Sequence, residues 1–467
     1  MLSNIRFVYL IGIGGIGMSN LARWFKANGY EVAGYDRTAT PLTAALQAEG
    51  MDIHFEDDVA LIPATFLENP KATLVVYTPA IPKEHQELNY LIANGFDCYK
   101  RAFVLGLIVN AMRCLAVAGT HGKTSTSSIL AHLIRHSGKD CAAFLGGITQ
   151  NYQTNFLLNR GEAAQAWAVV EADEYDRSFL HLQPQAAIIT STDADHLDIY
   201  GEGSQLLESF AAFGNKVCAG GLLLLHESAQ LSASEFAGRE VWRYGTGAAT
   251  TVDVWAANIR IINGCTVFDW VVRGKTILQD AVLAVPGMHS LNNALAALTL
   301  AWKVADIAPE CLREALASYK GVKRRFEICI ESDELVYVDD YAHHPTEIDA
   351  FIAAMRMRYP NRHLTVVFQP HLFSRTRDFA AGFSESLSRA DRLILLPIYP
   401  ARELPIEGVS SEMIFCYATV QDKHLITEQE LMPLLEQLEI DLLATVGAGN
   451  IDRFVPQIIK TFTHKTV

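Results

Sequence analysis

The residues with the clearest chemical signature form a short glycine-rich segment, Gly119-Thr120-His121-Gly122-Lys123-Thr124. A buried strand, Cys114–Ala118, is predicted before it, and an amphipathic helix is predicted to begin at Lys123. In this arrangement backbone N–H groups and the helix N-terminus receive phosphate, the lysine reaches the terminal phosphates and the threonine hydroxyl can hold Mg²⁺. Val117 stands where the usual pattern has its first glycine, but the segment still predicts a nucleotide site.

Two later strands are predicted to end in residues that could bind a metal ion. Glu171 follows the strand Trp167–Val170, which is where a nucleotide-bound Mg²⁺ finds its carboxylate. His196 follows the strand Ala186–Thr190 in a polar loop, at a third consecutive strand end of the same predicted sheet. We therefore expect His196 to act as a metal ligand rather than as a structural residue.

A second glycine motif lies near the N-terminus, where Gly12, Gly14 and Gly17 follow the strand Phe7–Ile11. The next strand ends at Asp36, where an acidic side chain could bind ribose hydroxyls. This motif alone is typical of a nicotinamide-dependent dehydrogenase. Its glycines, however, indicate only that a pyrophosphate approaches the backbone at a helix end, which any nucleoside diphosphate would satisfy.

These motifs need an α/β fold of three domains to position them. We expect an N-terminal Rossmann-like domain over 1–112, a central P-loop domain over 113–320 and a C-terminal Rossmann-like domain over 321–467. The central domain is predicted to have a mostly parallel sheet, with a small antiparallel layer over 239–285 that contains an Asn263-Gly264 hairpin. The helix after Pro286 has a polar start that could read an adenine edge or cap the helix.

The last domain also places polar groups after predicted strands. Three adjacent cations, Lys323-Arg324-Arg325, lie at the expected domain boundary, where an arginine could neutralise phosphate or the charges could simply be solvated. Polar segments at 339–346 and 369–378 follow two strands. Such a layout in all three domains is typical of a cleft enzyme that closes around two substrates.

Composition limits the remaining possibilities. The 467 residues carry a net charge of -14, which argues against nucleic acid as a partner. The closest two of the eight cysteines, Cys98 and Cys114, are 16 positions apart, so we expect no zinc ligand pair and reduced core cysteines. No hydrophobic run reaches the ~18 residues of a membrane helix. We expect a cytoplasmic protein with no membrane partner, either a monomer or a homodimer.

The motifs together resemble the Mur ligases, the ATP-dependent amide ligases of peptidoglycan precursor synthesis. The resemblance covers essentially the whole chain and rests on five segments, which are 119–124, Glu171-Ala-Asp-Glu174, Asp195-His196-Leu-Asp198, Arg324-Arg325-Phe326 and 339–346. The glycine-rich start and the segment 368–378 are most similar to the members that join L-alanine to UDP-N-acetylmuramate. The resemblance implies these two substrates, with ATP and two Mg²⁺ ions, for which Mn²⁺ could substitute.

The resemblance also implies residue roles. Lys123 would bind the β- and γ-phosphates, Thr124 one Mg²⁺, Glu171 both metals and His196 the second metal. Arg325 would contact the γ-phosphate, and His343 and Arg375 would face the muramoyl carboxylate and the amino acid. The expected ATP contacts are Gly119, Thr120, His121, Gly122, Lys123, Thr124, Asn293, Arg325 and Asp340. The expected UDP-sugar contacts are Gly12, Gly14, Gly15, Ile16, Gly17, Asp36, Thr78 and Ala80.

Two positions depart from the family pattern, and several alternatives remain open. Ser290 follows His289 where relatives have asparagine, which leaves Asn293 as the adenine contact, and Leu372 replaces an arginine after Pro370-His371. A ligase that adds a preformed tripeptide would share nearly every motif, and a folylpolyglutamate synthetase would share the ATP domain. The motifs also leave open a nicotinamide-dependent dehydrogenase and a non-catalytic nucleotide-binding regulator.

Overall fold

The structure is a computed structural model that describes residues 2–193, 203–246, 251–401 and 403–463. The chain forms two compact units. One comprises Met1–Ala256, Trp270–Leu278 and Asn293–Leu316, and the other comprises Ala257–Asp269, Gln279–Asn292 and Ala317–Val467.

The N-terminal part of the first unit is a parallel five-stranded sheet in the order β3-β2-β1-β4-β5. Its central strand is buried throughout, as expected of a parallel strand covered on both faces. The strands are β1 (Phe7–Ile11), β2 (Glu31–Tyr35), β3 (Asp52–His54), β4 (Thr73–Tyr77) and β5 (Asp97–Lys100). The helices are α1 (Ile16–Ala27), α2 (Pro41–Ala48), α3 (Ala64–Leu67), α4 (Gln86–Ala93) and α5 (Arg101–Val109). This arrangement is the predicted Rossmann-like sheet.

The next sheet has ten strands, which are β6 (Arg113–Ala118), β7 (Cys141–Thr149), β8 (Thr154–Leu157), β9 (Trp167–Glu171), β10 (Ala186–Ile189), β11 (Leu222–His226), β12 (Glu240–Gly245), β13 (Val254–Ile262), β14 (Cys265–Val272) and β15 (Lys275–Leu283). Their order is β15-β14-β13-β12-β11-β10-β6-β9-β7-β8. The helices of this region are α6 (Lys123–His136), α7 (Gly203–Gly214), α8 (Met288–Lys303) and α9 (Pro309–Ala317). Because β6 pairs in parallel with β9 and β10, the carboxyl ends of these three strands meet at one edge.

The hairpin predicted at Asn263-Gly264 is confirmed. Both residues have positive φ, 49° and 74°, as a two-residue turn between antiparallel strands requires. The expected layer of strands over 239–285 is part of the ten-stranded sheet rather than a separate layer. Its first strand, β12, pairs in parallel with both β11 and β13, so within 239–285 the antiparallel pairing begins only at the hairpin.

The second unit contains a six-stranded sheet in the order β16-β17-β21-β18-β19-β20, parallel except for the β16–β17 pair. The strands are β16 (Glu327–Glu331), β17 (Val336–Asp340), β18 (Leu364–Phe368), β19 (Arg392–Leu395), β20 (Asp422–Leu425) and β21 (Leu442–Val446). The helices are α10 (Pro345–Arg358), α11 (Phe373–Leu387), α12 (Glu412–Tyr417), α13 (Glu428–Gln437) and α14 (Val455–Thr463). Apolar clusters pack on both faces of this sheet.

Two predictions from composition can be compared with this fold. All eight cysteines are free, but only Cys114 and Cys141 are buried, while Cys218 and Cys416 are exposed. The expectation that the cysteines are core residues is therefore wrong for most of them. No helix in the described ranges is both long and apolar enough to cross a membrane.

Candidate active site

The loop between β6 and α6, residues 119–122, is the predicted phosphate loop, and two of its glycines have positive φ. Gly119 and Gly122 have φ values of 131° and 81°, which L side chains rarely adopt. A Cβ atom on Gly119 would lie 2.1 Å from the Thr190 hydroxyl oxygen. Glycine at this position therefore lets the loop lie directly against the end of β10.

Two residues after β10, Thr190 and Ser191, brace this loop, and the sequence reasoning missed both. The His121 N–H donates to the Ser191 hydroxyl oxygen at 2.9 Å, and the Thr120 and Ser191 hydroxyl oxygens are 2.6 Å apart. The Thr190 hydroxyl donates to the Ala118 carbonyl at 3.1 Å. Two hydroxyl residues at the end of a strand are the only sequence signal that could have indicated this role.

Lys123, the first residue of α6, is held by a buried carboxylate. Its ammonium group lies 2.9 and 2.8 Å from the two carboxylate oxygens of Glu174 and donates to the Gly119 carbonyl at 2.5 Å. Burial alone would lower the pKa of Lys123, but Glu174 and Asp173 outweigh burial and raise it above its usual value. Lys123 is therefore charged at pH 7, at the position where the sequence predicts a phosphate.

The expected metal ligands Thr124 and Glu171 are in contact. The Thr124 hydroxyl donates to a Glu171 carboxylate oxygen at 2.5 Å, and a Cβ atom on Gly146 would lie 1.9 Å from the other carboxylate oxygen. Gly146 was missed, although a glycine inside a strand often marks a close approach. The hydroxyl and carboxylate oxygens fit a Mg²⁺ ion, which prefers hard oxygen ligands. The third expected ligand, His196, lies outside the described residues.

Asn293, expected at the adenine, lies beside the phosphate loop. It is 6 % exposed, and its side-chain oxygen lies 2.8 Å from where a Cβ atom on Gly122 would be. The absence of a side chain at Gly122 thus creates the space that Asn293 occupies.

The N-terminal glycine loop leads from β1 into α1, as predicted. Gly12 has a φ of 86°, and a Cβ atom there would lie 2.7 Å from a methyl carbon of Thr78. The Gly14 N–H donates to the Asp36 carboxylate at 2.8 Å, so this expected ribose ligand also fixes the loop. Three further expected UDP-sugar contacts, Gly15, Ile16 and Ala80, are exposed.

In the second unit, the structure brings the expected residues Arg325 and His343 to one carboxylate. The His343 backbone N–H donates to Glu347 at 3.0 Å, and an Arg325 guanidinium nitrogen lies 4.0 Å from the other Glu347 oxygen. Burial, opposed by Glu347 but assisted by Arg375, lowers the pKa of His343 to about 4. His343 is therefore neutral at pH 7, in a site whose cations are arginines.

Arg375 contacts a second histidine, His371, which lies beside His343. Its guanidinium is 3.4 Å from His371 Nδ1, and the rings of His371 and His343 are 6.3 Å apart. Leu372, the position that departs from the family pattern, is buried and has a φ of 70°. Its side chain therefore belongs to the packed interior. Arg375 is then the cation of this segment that lies beside His371, since Arg377 pairs with Asp378.

Asp340 ends β17, and its carboxylate fixes the backbone just before β16 and just after β17. Its carboxylate oxygens accept the backbone N–H groups of Phe326 at 2.6 Å and Ala342 at 2.8 Å. Burial, opposed mainly by Arg325, raises the pKa of Asp340 to about 6. A ribose contact by Asp340, which the resemblance implies, would use the remaining lone pairs of these oxygens. The same carboxylate also positions the backbone at Phe326, the residue next to Arg325.

Three family models match the chain in order. The Mur ligase family, catalytic domain matches residues 7–113, and the Mur ligase middle domain matches residues 117–301. The Mur ligase, glutamate ligase domain matches residues 324–449. The matched segments contain the phosphate loop, the glycine loop and the cluster around His343.

Two similar sequences carry the same name. The chain is 46% identical over 458 residues to the UDP-N-acetylmuramate–L-alanine ligase of Cytophaga hutchinsonii, which covers 98% of this chain and 97% of the relative. It is 48% identical over 465 residues to the protein of the same name from Flavobacterium psychrophilum, with 99% and 100% coverage.

Solved structures agree with this fold. The UDP-N-acetylmuramate-alanine ligase of Thermotoga maritima matches with a TM-score of 0.83 at 25% identity, covering 98% of this chain and 99% of the other. A murein peptide ligase of Psychrobacter arcticus matches with a TM-score of 0.71 at 20% identity, with 98% coverage of both chains. The three-domain α/β fold is confirmed, and the dehydrogenase alternative is wrong. The chain belongs to the Mur ligase family of enzymes.

Proposed function

We propose that this protein joins L-alanine to the lactyl carboxylate of UDP-N-acetylmuramate, with conversion of ATP to ADP and phosphate. The observation that carries the proposal is the full-length identity of 46–48% to ligases named for these two substrates. Lys123 after the phosphate loop, and Arg325 and Arg375 near His343, are proposed to supply the positive charges that such a reaction needs.

The chemical problem is that a free carboxylate does not react with an amine, because oxide is too poor a leaving group. In the proposed reaction a carboxylate oxygen forms a bond to the γ-phosphorus while the bond to the bridging oxygen of ADP breaks. The amine of L-alanine then attacks the acyl carbon and loses a proton. The resulting tetrahedral intermediate expels phosphate, which carries away the oxygen that the carboxylate contributed.

The protein acts in this scheme by positioning and charge neutralisation. Lys123 is proposed to bind the terminal phosphates in place of Glu174, and Arg325 to bind the transferring phosphoryl group. Arg375 is proposed to bind the carboxylate of the amino acid, beside the neutral His343. Each of these side chains has a polar neighbour in the structure: Lys123 contacts Glu174, Arg325 lies 4.0 Å from Glu347, and Arg375 lies 3.4 Å from His371.

Thr124 and Glu171 are proposed to hold Mg²⁺, which when bound neutralises charge on the phosphates. The assignment of His196 to a second Mg²⁺ remains a prediction from the sequence. A related fold, the MurF ligase from Thermotoga maritima, was solved in complex with ADP and matches with a TM-score of 0.61 at 16% identity. ATP is accordingly the proposed nucleotide.

The second candidate is a ligase that adds a preformed tripeptide to the same nucleotide sugar. The fold match to the murein peptide ligase favours it only at the level of architecture, because that pair is 20% identical. The names of the relatives at 46–48% identity favour L-alanine.

One assay separates the two candidates. ADP release is measured with UDP-N-acetylmuramate and, in turn, L-alanine, glycine, L-serine and the tripeptide. We expect turnover with L-alanine and a loss of about 10³-fold in Lys123→Ala, the size expected for one charge-neutralising group. Strict dependence on the tripeptide would overturn the L-alanine proposal, and retained turnover in Lys123→Ala would overturn the phosphate-loop assignment.

A further inference from the structure

One arginine outside the motifs discussed so far lies against the N-terminal glycine loop. Arg101 is the first residue of α5, and its guanidinium lies over Gly17, the last glycine of that loop. A Cβ atom on Gly17 would be 2.6 Å from Arg101 Nη1 and 3.2 Å from Cζ. Glycine at this position therefore provides the space in which the guanidinium lies beside the start of α1.

The same guanidinium reaches the segment that follows β9. Arg101 Nη2 lies 3.3 Å from a carboxylate oxygen of Asp173, and the two side chains are 19% and 39% exposed. Asp173 stands between Glu171 and Glu174, the two carboxylates that contact Thr124 and Lys123. Arg101 thus links the glycine loop to the acidic segment of the phosphate site.

Hydrogen bonds from two buried asparagines, Asn155 and Asn20, hold the start of α1 at a fixed distance from the central sheet. The side-chain amide of Asn155, which is 0 % exposed, donates to the Ile16 carbonyl at 2.8 Å. The Asn20 amide donates to the Leu145 carbonyl at 2.9 Å. These bonds tie α1 to β7 and β8, so the start of α1 is held in a defined place relative to the central sheet.

The start of α1 has backbone donors available for an anion. The N–H groups of Met18 and Ser19 bond to the Gly15 carbonyl, at 2.9 Å each. The N–H groups of Ile16 and Gly17 are in the first turn, where no intrahelical acceptor exists. A phosphate there would meet these two donors, the positive end of α1 and the Arg101 guanidinium together.

We propose that Arg101 binds the diphosphate of the nucleotide sugar, and that Asp173, which pairs with this arginine in the absence of substrate, competes with the diphosphate for it. The inference rests on the proposed function, because it assumes that a UDP-sugar occupies the glycine loop. The negative charge of Asp173 opposes the diphosphate and must be displaced from Arg101 when the diphosphate binds. Removing Arg101 and removing the Asp173 charge are therefore expected to change diphosphate binding in opposite directions.

The test is titration calorimetry of UDP binding to the full-length protein. For Arg101→Met we expect a Kd for UDP about tenfold to a hundredfold higher, the range for a hydrogen bond to a charged group. For Asp173→Asn we expect a Kd about two- to fivefold lower, since a partly exposed ion pair is weak. Asparagine keeps an acceptor for the Tyr175 N–H, which Asp173 accepts at 3.1 Å.

Lys100→Met is the matched control, because it removes the same charge one residue earlier from an exposed pair with Asp176. We expect its UDP affinity to stay within twofold of the parent protein. Unchanged ATP affinity in Arg101→Met shows that the variant is folded. Equal UDP binding by Arg101→Met, or weaker binding by Asp173→Asn, would overturn the inference alone. A parent protein that does not bind UDP would overturn the proposed function with it.

Discussion

Glu174 offers a test of how the phosphate site is held before a nucleotide binds. Its carboxylate is 0 % exposed and pairs with Lys123, whose side chain is 17% exposed. Glu174→Gln keeps the shape and one acceptor but removes the negative charge. The Lys123 ammonium group would then remain buried with only neutral acceptors, and the raised pKa of Lys123 would fall.

The expected cost follows from the burial of this pair. Removing one partner of a buried ion pair destabilises proteins by about 3–5 kcal/mol. Because glutamine retains an acceptor and the Gly119 carbonyl remains at 2.5 Å, we expect about 2–3 kcal/mol here. For a domain of this size, that corresponds to a fall in the thermal midpoint of roughly 4–12 °C.

ATP should reverse much of this effect, since its phosphates supply the missing negative charge beside Lys123. We therefore expect ATP to raise the thermal midpoint of Glu174→Gln more than that of the parent protein. The measurement is thermal unfolding with and without ATP, with the exposed Glu162→Gln as a control. A variant with the same thermal midpoint as the parent protein, or with a smaller rise in midpoint on addition of ATP, would refute the inference that Glu174 balances the charge of Lys123.

Two further predictions concern single positions in the same unit. Burial lowers the pKa of His132 to about 4, so the folded protein favours the neutral imidazole. The resulting contribution to the free energy of unfolding, about 3 kcal/mol, is fully present above pH 6.5 and is lost as the pH falls from 6.5 to 4. In His132→Gln, thermal midpoints should fall less steeply over this range, and an unchanged pH dependence would contradict the assignment. Gly146→Ala would place a Cβ atom 1.9 Å from a Glu171 oxygen, so we expect it to raise the Mg²⁺ concentration needed for half-maximal ADP release. A normal Mg²⁺ requirement would show that Glu171 is not a metal ligand.

The strands and loops of this protein could be predicted because their signals are local. The strand predicted at 7–11 has the bounds that the structure has, and those predicted at 114–118, 167–170 and 186–190 each differ from it by one residue at one end. Each is a short apolar run that ends at a glycine or polar residue, which is typical of buried parallel strands. The start of α6 at Lys123 was predicted for the same reason, because it follows a strand and a glycine turn.

The contacts that hold the site together could not be predicted in this way. Lys123 and Glu174 are 51 positions apart, and Arg101 and Asp173 are 72 apart, so nothing in either local segment indicates the pair. Gly146 is an ordinary strand residue until the fold brings it against Glu171. These are tertiary contacts, and they depend on the strand order of the sheet rather than on any motif.

The central claim is that the protein activates a carboxylate by phosphoryl transfer. The most direct measurement uses UDP-N-acetylmuramate with ¹⁸O at both oxygens of the lactyl carboxylate, together with ATP and L-alanine, and mass analysis of the phosphate released. The account predicts one ¹⁸O atom in each phosphate formed, because the carboxylate oxygen that attacks the γ-phosphorus leaves with it. Phosphate without ¹⁸O, formed alongside the amide product, would contradict the account.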